Sequence, residues 1–365
     1  MRLRAQLATA TVLAAALALT GCGGGEDASS SGNSSGSAGG SGGSSSSAGG
    51  DVVLLTHDSF SLPKRLITRF ESTTGYHLVV RASGDGGELT NKLVLADGSP
   101  DGDAVFGIDN TFASRAIAGD VLQDYTPSEL PAGVSDFDLP GDDGASLTPI
   151  DDGDVCVNVD TSWFKAHGLA APTGFADLTK PAYQDLTVIP GATTSSPGLA
   201  FLLATVAKYG DDWQSYWKDL MDNGAEITDG WSEAYEVDFT AGGGDGDRPI
   251  VVSYDSSPAY TVTDGSSSTK ALLDTCFQQV EYAGVLRGAT NPDGAKALVD
   301  FLLTDEVQEA LPDSMYVFPV VDGVTLPRQW AKFAVQPTKT WQVDPSEIES
   351  NREEWLQEWR DIITA

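Results

Sequence analysis

Basic residues are scarce. Only 21 Lys and Arg stand against 53 Asp and Glu in 365 residues, a formal net charge of −32 at pH 7. Nucleic-acid binding draws on clustered Lys and Arg that displace counterions from phosphates, so an acidic chain with scattered cations is excluded from that class. Cysteine is equally rare: 3 in the whole chain exclude a disulfide scaffold, and 3 His leave few soft ligands for a metal site. The signatures of catalysis are missing as well. There is no nucleophile elbow, no Gly-rich phosphate loop with a following Lys, no HExxH and no convincing Ser/His/Asp set, so neither an enzyme nor a cofactor is expected. Hydrophobic residues make up 41% of the chain, enough for a real core, and the length suits a body of two lobes.

The N-terminus carries an address. Arg2 and Arg4 precede a mainly apolar run from Leu7 to Leu19, too short to span a bilayer, so residues 1–21 read as a secretory leader. The run ends in Leu19-Thr20-Gly21-Cys22, which resembles the lipobox of bacterial lipoproteins. That resemblance implies cleavage before Cys22, lipidation of its thiol and anchoring to the outer face of the cell membrane. Residues 22–50 are almost entirely Gly, Ser and Ala, a composition that cannot bury apolar surface and behaves as a flexible tether. By the random-coil relation its ends lie about 30 Å apart.

From Asp51 the pattern alternates between strands and helices. Strands are expected at Asp51–Thr56, Tyr76–Ala82, Ala104–Ile108, Val155–Val159, Thr187–Pro190 and Pro249–Tyr254, with helices between them and a mostly helical stretch from Asn291. This reads as α/β with mainly parallel sheets. Ligands of open α/β sheets bind beyond the C-terminal ends of the strands, and polar and aromatic clusters fall there. His57-Asp58-Ser59-Phe60, Asp85-Gly86, Asp109-Asn110 and Ser195-Ser196-Pro197-Gly198 are four of them. The fifth pairs Gly230-Trp231-Ser232-Glu233-Ala234-Tyr235 with Tyr254-Asp255-Ser256-Ser257-Pro258-Ala259-Tyr260.

Carboxylates beside aromatic faces suit a flat organic cation. The Ser195-Ser196-Pro197-Gly198 helix start offers free N–H groups to an anion such as phosphate, or the serines simply cap the helix. Asp58 and Asp109 could equally be turn or cap residues. His77 and His167 read as structural, and the acidic, Gly-rich patches at Gly141–Gly144 and Gly242–Asp247 read as solvated loops without the ligand spacing of a calcium site.

The same residues resemble the thiamine-binding substrate-binding proteins of bacterial ABC importers. The resemblance rests on Asp58-Ser59-Phe60, Gly107-Ile108-Asp109-Asn110, Thr194–Gly198, Tyr209–Asp212, Gly230–Tyr235, Ser257–Tyr260 and Phe318-Pro319-Val320, which run in family order. It implies a two-lobed periplasmic-binding-protein fold of type II, with a cleft between lobes joined by crossing strands. Lobe 1 would cover about 51–150 plus part of the C-terminal region, and lobe 2 about 151–290. The implied ligand is thiamine or its mono- and diphosphate, and the implied partners are a membrane permease and its ATPase, with the receptor itself a monomer.

Carried over by position, Trp231 stacks on the ligand, Tyr254, Asp255, Ser256, Ser257 and Tyr260 line the site, Asp85 and Gly86 touch the ligand, and Ser195 and Ser196 face its phosphate. The chain departs from the family at His57, where a Tyr is usual, at Ser61–Lys64, which lacks a Trp, at Tyr316 in place of another Trp, and at Asp255 in place of a hydroxyl. Another cationic solute, such as a polyamine or ferric iron, and a secreted thiamine-degrading enzyme with a Cys nucleophile are the alternatives. Cys156 and Cys276 lie in apolar, strand-like segments of an exported chain and are either a disulfide inside lobe 2 or two buried thiols.

Overall fold

The computed structural model describes residues 49–142 and 146–365; the expected leader, Cys22, nearly all of the tether and part of the Gly141–Gly144 patch lie outside the described residues. The first sheet gathers β1 (Asp51–Thr56), β2 (His77–Ala82), β3 (Ala104–Asp109), β4 (Leu122–Gln123) and β5 (Thr148–Asp152). The second holds β6 (Val155–Asp160), β7 (Thr187–Pro190), β8 (Glu226–Thr228) and β9 (Ile250–Tyr254). After a small hairpin of β10 (Val262–Thr263) and β11 (Ser266–Ser267), β12 (Thr269–Phe277) completes the second sheet in the order β12-β6-β9-β7-β8. Then β13 (Val280–Leu286) and β14 (Phe318–Pro319) return to the first, whose order is β14-β5-β13-β3-β1-β2 with β4 also on β13.

Two expectations are corrected here. The sheets are mixed: β1–β2, β1–β3, β7–β8 and β7–β9 are parallel, but β13 runs antiparallel to β3, β4 and β5, and β6 antiparallel to β9 and β12. The cause is that strands entering from the other sheet arrive in the opposite direction. The chain also leaves the second lobe for the first at Phe277 and not near residue 290, since β13 is a strand of the first sheet, and it returns to the second core with Ile348 and Trp359.

Alternation along the strands builds the first core. Val52 and Leu54 of β1 enter one cluster with Phe70 and Leu298, whereas Val53 and Leu55 face another with Leu89 and Ile108, so helices cover both faces. The second core packs around the helix Ser196–Tyr209, with Phe201, Trp217 and Trp359 buried against one another. Each such side chain contributes roughly 1.5–3 kcal/mol by leaving water.

The chain passes between the sheets at Gly153-Asp154 and at Gln278-Gln279. It passes a third time over 335–343, where Trp341 bridges to Phe277, before the helix Pro345–Ile363 sends Ile348 and Trp359 into the second core. A disulfide joins Cys156 on β6 to Cys276 on β12, just inside the second lobe from two of these passages. No helix among the described residues is long and apolar enough to cross a membrane.

Candidate functional site

Between the sheets lies a cleft of about 370 Å³. The first sheet contributes His57, Asp58 and Phe60 from the loop after β1, Glu281 from β13 and Tyr316 from the approach to β14; the second contributes Trp231, Tyr235, Tyr254 and Tyr260. Acidic side chains at the lining are Asp58, Glu236 and Glu281. No Lys or Arg is among the lining residues, and His57 is the sole basic side chain there.

The aromatic wall has a local cause. Residues Glu233–Asp238 form a π-helical turn, a wide turn common at functional sites. Trp231, two residues before it, and Tyr235 within it stack with ring centroids 5.0 Å apart and planes 12° from parallel. Trp231 is fixed at both ends: its indole Nε1 donates to Ser253 Oγ at 2.9 Å and its backbone N–H to Asp85 Oδ2 at 2.9 Å. Tyr254 lies tilted 6.1 Å away, and Tyr260 meets Tyr235 and Tyr316 edge-on. Tyr316 has φ 58, a left-handed backbone costly for a bulky residue. It is held by Ser256, whose Oγ donates to the Tyr316 carbonyl at 2.5 Å.

On the first-lobe side His57 is buried, with Nδ1 2.9 Å from Ser59 Oγ and Nε2 3.6 Å from Glu281 Oε1. Gly107 makes this possible, since with φ 97 a Cβ there would come within 2.2 Å of the His57 ring. Burial alone would lower the His57 pKa, but Glu281, then Asp85 and Asp58, outweigh it and hold it above the ordinary 6.5.

The remaining expected residues fall in three places. Asp85 caps the helix Gly86–Leu95, accepting from Gly86 N–H at 2.6 Å, and reaches across to the second lobe for Ser196 N–H at 3.3 Å and Trp231 N–H. Burial raises its pKa even against these donors. Gly86 permits that approach, because a Cβ would meet Ser196 Oγ at 2.2 Å. Ser195 and Ser196 are buried outside the lining of the cleft; Ser195 Oγ caps Gly198 N–H, and the anion resting on this helix start is Asp85 itself.

Asp109 is also away from the cleft. Its Oδ1 accepts from Thr111 N–H, Thr111 Oγ1 and Phe112 N–H, and burial still raises its pKa to about 6. Asp255 is wholly buried on the hinge side, where it senses Asp154 and Asp152, because consecutive residues point opposite ways and Tyr254 takes the cleft. Ser256 and Ser257 do line the cleft, and Ser257 Oγ accepts from Tyr254 N–H at 3.1 Å.

Glu281 and Glu236 line the cleft without having been picked out in the sequence, whereas Tyr235 belongs to the Gly230–Tyr235 cluster named there. Tyr235 had a visible signal, four residues after Trp231. Glu281 offered only a lone acid in an otherwise apolar strand. His77 pairs with Asp51 and Glu71 at the surface, and His167 stacks on Trp163, both outside the cleft. Among the described residues no group of three or more His, Cys, Asp or Glu is placed to hold a metal ion.

Comparison with known proteins agrees with this architecture. The chain is 27% identical over 330 residues to the thiamine-binding periplasmic protein of Escherichia coli (strain K12), covering 86% of this chain and 93% of that one. It is 29% identical over 322 residues to the protein of the same name from Brucella melitensis biotype 1, covering 84% and 90%. A solved structure titled periplasmic thiamin binding protein superposes with a TM-score of 0.75 at 27% identity, covering 86% of this chain and 96% of that one. Residues 103–337, which carry the first two crossings, the aromatic wall and Glu281, match the model of the bacterial extracellular solute-binding protein family, and the chain belongs to that family.

Proposed function

We propose that this chain is the extracytoplasmic receptor of an ABC importer and that its solute is thiamine. The observation that carries the reading is the stacked Trp231–Tyr235 pair facing Asp58 and Glu281 in a cleft lined by no Lys or Arg. A thiazolium ring is flat and positively charged, and an aromatic face with nearby carboxylates is complementary to it. Similarity to thiamine-binding periplasmic proteins supports the same ligand.

No reaction is proposed. A thiamine-degrading enzyme would need an activated thiol, and the two cysteines among the described residues are consumed in the Cys156–Cys276 disulfide. Phosphate esters fit less well than free thiamine, since the helix start at Ser195-Ser196 is already satisfied by Asp85 and the cleft walls are acidic.

Calorimetric titration of the body from Asp51 onward tests this. Thiamine is expected to bind at micromolar strength or better, ahead of its mono- and diphosphate, with spermidine as the control cation. Trp231→Ala should weaken thiamine by about 30-fold or more, as for a buried aromatic anchor. Tightest binding of spermidine, or thiamine binding indifferent to Trp231→Ala, would overturn the reading.

The membrane attachment is proposed from the Leu19–Cys22 motif and the Gly/Ser-rich segment after it. A lipidated Cys22 would hold a monomeric receptor near its permease and ATPase. Metabolic labelling with palmitate should tag the full-length chain and not its Cys22→Ala variant; equal labelling would refute the anchor.

A further inference from the structure

The cleft has one basic side chain, and it stands where a cationic ligand's charge would be welcome. Glu281 is the second residue of β13, just after the second crossing, and its neighbours in register are Asp109 on β3 and Asp151 on β5. Tyr254 from the second lobe also lies within its electrostatic reach. Asp58 and Asp85 face His57, with Glu281 at 3.6 Å. A buried carboxylate among carboxylates is costly unless a cation accompanies it, and the basic side chain within reach of Glu281 is His57. Its Nε2 is nevertheless without a hydrogen-bond partner, and so is the second oxygen of Asp109.

From this geometry we infer that Glu281 is the counter-ion for the positive charge of the bound solute and that His57 is a resident cation the solute replaces. The His57–Glu281 pair thereby selects a monocationic aromatic ring over a neutral one and sets the pH at which it is taken up. The inference rests on the thiamine reading above.

The proton balance has a definite sign. In the free protein Glu281 holds the His57 proton at pH values above 6.5. A second positive charge beside Glu281 removes that support, so binding expels the Nε2–H proton to solvent. Affinity for the cation should therefore rise with pH through the free-protein pKa of His57 and then level off.

Calorimetry of thiamine binding near pH 7 in phosphate and in Bis-Tris, buffers of different ionisation enthalpy, reads the proton directly. Net release is expected from the wild type and none from His57→Gln, which should bind thiamine more tightly than wild type at pH 6. Glu281→Gln should weaken thiamine by about tenfold or more while changing binding of the neutral aminopyrimidine alcohol much less. Proton uptake or no exchange in the wild type, or equal loss of both ligands in Glu281→Gln, would overturn the inference. A wild-type chain that binds no thiamine would instead overturn the ligand assignment.

Discussion

The two lobes meet along two seams built from opposite chemistry. On the latch side, Asp85 of the first lobe collects backbone N–H groups of Ser196 and Trp231, and the Glu88 N–H donates to the Thr194 carbonyl at 2.9 Å. On the hinge side, Asp151, Asp152, Asp154 and Asp255 crowd the first crossing with few donors. Both oxygens of Asp151 and of Asp255 lack partners, and Asp152 receives one bond, from Gln336 of the third passage. A carboxylate met by N–H groups ties surfaces together, whereas one met by other carboxylates is kept tolerable by holding a proton. The latch is therefore charged and directional, and the hinge stores protons.

Burial, with Asp152 adding to it at Asp154, lifts Asp152 to about 7 and Asp154 to about 8, and Asp151 and Asp255 are pushed well above the ordinary carboxylate range. Protons must serve, because these groups are not placed to hold a metal ion. The disulfide stands beside this seam, tying β6 to β12 across 120 residues of sequence, and in the chain-entropy account a loop of that length is worth about 4–5 kcal/mol. It keeps the lobe-2 ends of two crossings aligned whatever the hinge acids do.

The largest effect should come from breaking the hinge side of this contrast. A carboxyl whose folded pKa lies above its unfolded value gives stability that is complete below about 3.8 and is lost as pH rises through about 7 for Asp152 and about 8 for Asp154. The double variant Asp152→Asn, Asp154→Asn keeps the shape and removes the titration. Its urea midpoint should exceed that of the wild type at pH 8.5 by an amount equivalent to a few kcal/mol, with little difference at pH 3.5. A loss of stability at both pH values would mean that the acids bind something essential and that the contrast drawn between the seams is wrong.

How much of this was legible in the sequence differs between the seams in the same way. The latch side is local. Asp85 before two glycines reads as a helix start, Ser195-Ser196-Pro197-Gly198 as another, and the apolar runs Asp51–Thr56 and Thr187–Pro190 match β1 and β7 end to end. The cleft wall announced itself through Trp231, Tyr254 and Tyr260. The hinge is not local. Asp152 and Asp154 look like an acidic loop until β13 returns from residue 280 to lie beside β5, and that return depends on a mixed sheet that no window of sequence displays. Glu281 was missed for this reason, and Asp255 was carried into the cleft with Tyr254, Ser256 and Ser257 by the resemblance of that strand-end segment, which does not tell one face of the strand from the other. Asp109 and Ser195 make capping bonds, the alternative that residue type alone left open, whereas the Ser196 hydroxyl is buried without a partner.

A smaller effect should come from the latch. Asp85→Asn preserves volume but replaces one acceptor oxygen by an N–H₂ group that would face the N–H groups of Ser196 or Trp231, and it removes the charge that strengthens the surviving bond. The cost is about 1–2 kcal/mol, drawn only when the lobes are together. Thiamine affinity should then fall by about tenfold, while the urea midpoint, set by the two cores and the disulfide, moves little. Small-angle scattering of the unliganded variant should give a larger radius of gyration than the wild type, and saturating thiamine should bring the two back together. If the radius is unchanged while affinity falls, Asp85 acts on the ligand through Trp231 and not on the lobes, and the latch would be part of the cleft wall instead of a seam in its own right.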